Sequence, residues 1–360
     1  MLKVLHNWIE RYLSDEEAII FALLLITSFA VIIWLGRPLA PVLTALVLAF
    51  IMQGGVDRLK GWGVPNFASI LVVFLSTILG FVGFVVGVAP ALLEQAENFF
   101  SELPKLVATV QDQLLKLTDS YPEFFNPEQI GQLINQAGQQ LSGVGQWLLS
   151  FSIESLPNLV GVLIYLVLVP ILVFFFLKDA ELILGWVGRR LPDRRPIMAR
   201  VWAEMKSQVS NYVRGKFLEI LIVGGVSFVA FAILDLRYAA LLALLVGLSV
   251  VVPYIGAAVV TIPVAAVAFV QWGWSSEFYW LLGVYALIQA LDGNVLVPLL
   301  FSEVVNLHPI AIIVAVLLFG GIWGFWGVFF AIPLATLFKA VVSAWPVASR
   351  QLEASEGLDH

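Results

Sequence analysis

An all-helical, polytopic membrane fold is what this sequence predicts, and three observations carry the prediction. Of the 360 residues, 61% are hydrophobic and only 12% are charged, where an ordinary globular domain carries roughly 25% charged residues. The apolar residues fall in long runs without Asp, Glu, Lys or Arg, close to the ~20 residues a helix needs to cross hydrocarbon. The basic residues gather in one segment, as they do in cytoplasmic loops of membrane proteins. The chain has no cysteine, so disulfides, thiolate metal sites and thiol catalysis are excluded.

The runs come in order. Residues 18–35 are uncharged, and Gly36-Arg37-Pro38 separates them from 39–52. Arg37 would be costly at mid-bilayer, so this break is expected at a surface, with the two runs forming a helical hairpin. The first run is too long for a signal-peptide core and lacks a small-residue cleavage site. Residues 67–93 form a third span and 156–177 a fourth. Residues 218–234 form a fifth, with Glu219 near its start. Residues 238–276 are uncharged throughout, enough for two passes or a broken hairpin, and 304–338 contain His308 but no Asp, Glu, Lys or Arg. The expected count is seven or eight crossings, with broken or re-entrant helices in the C-terminal third.

Nine of the 19 Lys and Arg lie between Lys178 and Lys216, which places that segment in the cytoplasm. Counting spans backwards places Arg58, Lys60 and the N-terminus on the same side. Residues 94–155 are then external. Leu103, Leu106, Val110, Leu114 and Leu117 recur there at helical spacing, as do Ile130, Leu133, Ala137, Leu141, Val144 and Leu148. Two amphipathic helices are expected, packed on each other, lying on the membrane, or packed between subunits. The organisation is therefore N-terminal membrane helices (1–93), an amphipathic insert (94–155), a single span (156–177), a basic cytoplasmic loop (178–216), a C-terminal membrane core (217–346) and a tail (347–360). Glycines at 80, 83 and 87, and at 320, 321, 324 and 327, are expected at close helix contacts.

Soluble-enzyme motifs are missing: there is no phosphate-binding loop, no nucleophile elbow and no zinc-binding helix motif. No nucleotide-binding domain, cofactor or nucleic-acid partner is implied, and the three histidines are too scattered for a metal site. The chemistry is expected instead around Asp292, where Gly293, Pro298 and Pro309 interrupt apolar runs. Half-helix ends at membrane depth build binding sites in many transporters. Asp292 reads as proton carrier, sodium ligand or solute acceptor, with Asn294, Gln289, Asn306, Glu303 and His308 as companions along the pathway. The competing reading of Asp292 is a helix cap or a residue near the aqueous surface. A second break is expected at Pro253-Tyr254-Ile255-Gly256. Arg214 and Lys216, at the membrane edge, mark a cytoplasmic mouth.

Several of these segments together resemble one family. Tyr212-Val213-Arg214-Gly215, Pro253-Tyr254-Ile255-Gly256, the block from Asp292 through Pro298 to Leu307-His308-Pro309, Gly320-Gly321-Ile322-Trp323-Gly324-Phe325-Trp326-Gly327 and Ala331-Ile332-Pro333 are similar to motifs of the autoinducer-2 exporter family of bacterial membrane proteins. The resemblance runs along the whole chain. It implies a transporter of small solutes in the bacterial cytoplasmic membrane, some members exporting a quorum-sensing furanone and others exchanging sodium for protons. It also implies a homo-oligomer, a pentamer being one form. Pro253, Tyr254, Gly256, Pro298 and Pro309 would shape the cavity backbone. Two positions depart from the family pattern: Lys216 where many members carry glutamine, and Ser302-Glu303 where glycine and a basic residue are expected.

The sequence thus predicts export of a small polar solute, with a sodium/proton antiporter as the alternative within transport. A non-transporting scaffold, assembled through the amphipathic insert, is the alternative from another class.

Overall fold

The computed structural model describes residues 16–120, 131, 159–301 and 307–345, and among these every regular element is a helix. In order these are α1 (Glu16–Gly61), α2 (Asn66–Gly87), α3 (Ala89–Ser120), α4 (Leu159–Lys178), α5 (Ala180–Gly188), α6 (Pro196–Ile233), α7 (Ala239–Ser249), α8 (Ile255–Trp272), α9 (Ser276–Leu291), a π-helical turn (Asp292–Leu296), α10 (Val297–Phe301), α11 (Pro309–Trp323), α12 (Phe325–Phe329) and α13 (Ala331–Ala344). Among the described residues six segments are long and apolar enough to cross a membrane, with four shorter apolar helices beside them. Large apolar side chains such as Leu79, Val86, Ile262 and Leu317 are exposed along these helices, as expected where lipid is the solvent. The chain is a polytopic membrane protein built from helices.

The hairpin expected at Gly36-Arg37-Pro38 is not formed. The backbone runs as one helix of 46 residues from Glu16 to Gly61, with Pro38 and Pro41 inside it. A proline in a helix removes one hydrogen bond and crowds the preceding turn, but its own φ is helical, and apolar surroundings leave no water to stabilise an unwound alternative. The helix is about 69 Å long at 1.5 Å per residue. The placing of the N-terminus beside Arg58 and Lys60 required the reversal, so it does not follow from this helix.

The chain divides into two compact units. The first contains α1, the start of α2, the second half of α4, α5, α6 up to Gly215, Phe301 and α11 to α13. Glu17 is buried and its Oε1 accepts the main-chain N–H of Met198 at 2.8 Å, a carboxylate on the open N–H groups of the α6 N-terminus. The Tyr212 hydroxyl donates to the Phe329 carbonyl at 2.8 Å. Its ring packs against Phe301 and Phe329. Gly215 lies under the Phe301 ring, 2.7 Å from where a Cβ would stand. α11 and α13 pack against each other. The turn between them holds Gly324 at a φ of 58° and brings Gly327 against the Phe319 carbonyl.

The second unit contains the rest of α2, α3, the first half of α4, α6 from Lys216, and α7 to α9 with the π-helical turn. Its core is built by Val223 and Phe231 of α6, Leu242 and Val246 of α7, Val264 and Val267 of α8, and Leu281 and Tyr285 of α9. The apolar stripe of α3 joins this core through Phe99, Leu103 and Leu106. Gln95 Oε1 accepts the N–H of Leu241 at 3.1 Å. The Tyr238 hydroxyl donates to Glu102 Oε2 at 2.7 Å, and burial together with that carboxylate pushes the phenol up to about 12. The first part of the expected stripe, Leu103 and Leu106, is therefore buried within the second unit, and the side chains of Val110, Leu114 and Leu117 lie outside the described residues. The second amphipathic stretch, from Ile130 to Leu148, lies almost wholly outside the described residues.

Close helix approach in this unit is set by glycines that the expected glycine faces did not include. α6 and α7 cross at Gly224 and Gly247, where a Cβ on Gly247 would stand 2.9 Å from the Ile220 carbonyl oxygen and 3.0 Å from the Gly224 Cα. Gly256, at the start of α8, abuts the Ser249 carbonyl at the end of α7. A Cβ on Gly80, Gly83 or Gly87 of α2 would meet nothing within 4 Å, so among the described residues the expected packing face is open. Gly256→Ala should lower the stability of the detergent-purified protein by roughly 1–3 kcal/mol through overpacking. Gly283→Ala, in open space on α9, should leave it unchanged or raise it by roughly 0.5–1 kcal/mol. Thermal unfolding of the two variants side by side checks the contrast.

Candidate functional site

Charges enclosed in a membrane unit need partners, and the second unit holds two that are buried, Lys216 and Glu219, and a third, Asp292, that is half-buried. The face of α6 that turns inward carries Glu219, Val223, Ser227 and Phe231 at four-residue spacing, none more than 2% exposed. Such a stripe would be wholly apolar in a simple packing helix. Lys216 stands one turn before Glu219 and is also buried, at 4%. Its Nζ donates to Glu219 Oε2 at 2.7 Å and to the Val250 carbonyl at 2.7 Å.

The Val250 carbonyl is available because α7 ends there. Its i+3 partner would be the N–H of residue 253, which is proline and has none. Its i+4 partner would belong to Tyr254, whose backbone has a φ of 62°, turning the chain out of the helix. A non-glycine residue at positive φ costs of order 1–3 kcal/mol, so the break is imposed by its surroundings rather than by local preference. The expected break at Pro253-Tyr254 is thus present, and its result is a main-chain acceptor for an ammonium group. The Tyr254 side chain itself is exposed.

The third charge comes from α9. Tyr285, Gln289 and Asp292 recur at helical spacing on one side of it. The Tyr285 hydroxyl lies 3.2 Å from Thr261 Oγ1 of α8, and Thr261 in turn donates to the Ala257 carbonyl at 2.7 Å. The Tyr285 ring packs on Phe231. Asp292 opens the π-helical turn, where Val297 N–H bonds back to the Asp292 carbonyl. The Asp292 charge interacts electrostatically with those of Lys216 and Glu219. Asp292 Oδ1 and Gln289 Nε2 are buried atoms without a hydrogen-bond partner. One ammonium group is therefore paired with one carboxylate and shares its field with a second, inside a unit whose outer surface is apolar. Among the described residues no cluster suits a metal ion bound by several His, Cys, Asp or Glu.

The other expected site residues lie elsewhere. Asn294 is exposed and donates back to the Ala290 carbonyl at 2.8 Å. Gly293 and Pro298 do not break the helix: α9, the π-helical turn and α10 run on as one candidate span, Ser276–Phe301. The extra residue of the π turn absorbs Gly293 and Pro298 sits in the first turn of α10, where a missing N–H costs little. Glu303 and Asn306 lie outside the described residues. His308 is the N-cap of α11, its Nδ1 accepting the Ile310 N–H at 3.3 Å, with Pro309 at the first helical position. In the first unit, Arg214 Nε donates to the Phe50 carbonyl at 3.0 Å, and the guanidinium lies 3.6 Å from Asp57. Lys216 is corrected from a residue at an open mouth to one enclosed in protein. Glu219, Ser227, Thr261 and Tyr285 are additions. A glutamate three residues after a lysine, at the edge of an apolar run, was the available signal for the first of them.

A model of the AI-2E family transporter matches residues 19–347. The chain belongs to the AI-2E transporter family. It is 44% identical to "Putative permease PerM" of Escherichia coli strain K12, over 96% of this chain and 98% of that protein. It is 27% identical to "Putative transport protein YueF" of Bacillus subtilis, over 86% and 84%, and 26% identical to "Putative transport protein MT0215" of Mycobacterium tuberculosis, over 93% and 89%. An AI-2E chain with these helices is a multi-pass membrane transporter, and its second unit holds the buried Lys216–Glu219 pair on one of the candidate spans.

The cluster has an energetic signature. Lys216→Met leaves Glu219 buried without its counter-charge, which should cost about 3–5 kcal/mol. The double replacement Lys216→Met/Glu219→Met removes both charges and should recover most of that loss. Thermal unfolding in choline chloride, where no small cation can step in, measures both.

Proposed function

We propose that this AI-2E transporter moves a small polar solute out of the cell, driven by a cation gradient, with Lys216, Glu219 and Asp292 as the coupling site. The observation that supports the reading is the charge imbalance of that trio. Each ionised group within a membrane helix costs about 2.5–3.5 kcal/mol on insertion scales. One ammonium offsets one carboxylate and leaves the second open to a proton or another cation. Loading of Asp292 would then change the net charge of the core, and a group whose charge changes during the cycle is what couples an ion gradient to a solute.

Three observations support that role for Asp292. It lies on a π-helical turn, an element that loosens the backbone ladder without ending the helix. It has a buried oxygen with no committed partner. It shares the field of Lys216 with Glu219. A signalling molecule is one solute compatible with this reading, and assembly as a homo-oligomer in the bacterial cytoplasmic membrane belongs to the same proposal. The sodium/proton antiporter is the second reading, supported by the pair of carboxylates around one site. The scaffold alternative is weakened, since Leu103 and Leu106 of the insert pack within the second unit.

Proteoliposomes carrying the purified protein test the proposal. Uptake of a panel of small polar solutes is measured with an imposed pH or sodium gradient. Asp292→Asn should lower gradient-driven flux by about tenfold or more, the scale of a coupling energy of 1–3 kcal/mol. Asn294→Ala, an exposed residue bonded to its own helix, should transport like wild type. Equal, equally gradient-dependent flux by wild type and Asp292→Asn would remove Asp292 from the mechanism.

A further inference from the structure

We propose that the Lys216 ammonium is a resident cation: it holds, on a covalent tether, the place of a free sodium ion, so that the wild-type cluster binds no sodium. The donor set makes the case. Nζ is met at 2.7 Å by a carboxylate oxygen of Glu219 and at 2.7 Å by the carbonyl oxygen of Val250. A carboxylate together with a main-chain carbonyl freed at a helix break is the combination by which membrane transporters coordinate sodium. Here the carbonyl is freed by Pro253 and by the positive φ of Tyr254, and it is directed at a lysine.

The surroundings fit a built site rather than an incidental pair. Lys216 and Glu219 are 4% and 2% exposed, so both groups have given up water. The Gly224–Gly247 crossing brings the α7 backbone onto α6, which carries the end of α7 within reach of the lysine. The spacing of three residues puts ammonium and carboxylate on one face of α6. Among the described residues, the charged groups that bear on the ammonium include Glu219 from α6 and Asp292 from the end of α9. α7 presents a carbonyl there. Tyr285 and Thr261 extend the polar core between α9 and α8. A lysine side chain cannot leave the protein, so as long as it is protonated it neutralises Glu219 and leaves Asp292 as the carboxylate that changes state. The antiporter reading with sodium as the coupled ion is then disfavoured for this chain.

The inference rests on the cluster being the coupling site, and binding is measured apart from flux so that each can fail alone. The purified full-length protein is equilibrated with radioactive sodium, choline replacing sodium in the controls. Wild type should retain none above background and should unfold at the same temperature in sodium chloride and in choline chloride. Lys216→Gln should gain about one sodium per chain, displaced by unlabelled sodium and not by choline, with a sodium-specific rise in unfolding temperature. Lys216→Gln/Glu219→Gln, which has no charge to balance at that position, should lose the gain. Sodium binding or sodium-specific stabilisation of the wild type overturns the proposal without recourse to any variant. So does a monodisperse Lys216→Gln that takes up no sodium. Loss of flux in Asp292→Asn without sodium gain in Lys216→Gln rejects the resident cation alone. The reverse pair of results rejects the coupling site and leaves the cation site standing.

Discussion

A lysine ammonium held between a carboxylate and a main-chain carbonyl is the interaction on which the second unit depends. In water such a contact contributes little, because both groups are well solvated. Buried in protein within a membrane, each charge has lost its hydration and can be kept only by its partner. The neighbouring features follow from that requirement. α7 must stop where it does so that the Val250 carbonyl is not spent in the helix. Pro253 and the left-handed turn at Tyr254 make it stop. Gly224, Gly247 and Gly256 let the backbones of α6, α7 and α8 approach until carbonyl and ammonium meet. A methyl group at Gly247 or Gly256 would press on backbone, which cannot give way as a flexible side chain can.

The run from Tyr212 to Glu219 shows how one helix serves two cores. Tyr212 and Gly215 engage the aromatic rings and carbonyl of Phe301 and Phe329, and Arg214 engages the Phe50 carbonyl and Asp57, all within the first unit. Lys216 engages Glu219 and the Val250 carbonyl within the second. Successive residues of a helix are turned by about 100° from each other, so adjacent letters of this motif address different neighbours. Tyr212, Arg214 and Gly215 are explained by packing and hydrogen bonding, and carry no unpaired charge into the cluster.

Much of this was legible in the sequence, and the rest was hidden for physical reasons. The spans were legible because lipid demands long apolar runs, and Asp292 was legible because a lone carboxylate in such surroundings is conspicuous. Lys216 was misread because it ends a basic segment, where positive charge has a sufficient explanation in topology; nothing local reveals that its side chain turns inward. Thr261 and Tyr285 were passed over because hydroxyl groups are common in membrane helices and only the fold brings these two together. The continuity of α1 through Gly36-Arg37-Pro38 was missed because glycine and proline ordinarily punctuate helices, a rule drawn from chains in water. The α3 stripe was seen, but periodicity identifies a buried face without saying what buries it.

The two interruptions in the second unit do different things, and the difference assigns the roles within the cluster. At Val250 the helix ends outright, and the acceptor it frees is taken up at once by Lys216. At Asp292 the helix does not end; it widens into a π turn and continues to Phe301. The first arrangement commits its groups: ammonium, Glu219 carboxylate and carbonyl satisfy one another. The second leaves a carboxylate oxygen buried and uncommitted, beside a positive charge already engaged elsewhere. An arrangement with both carboxylates fully paired would hold the core in a single electrostatic state, and one with neither paired would not be stable in lipid. Pairing one and leaving the other open would give a stable core with a site at which charge can change, the role proposed above for Asp292.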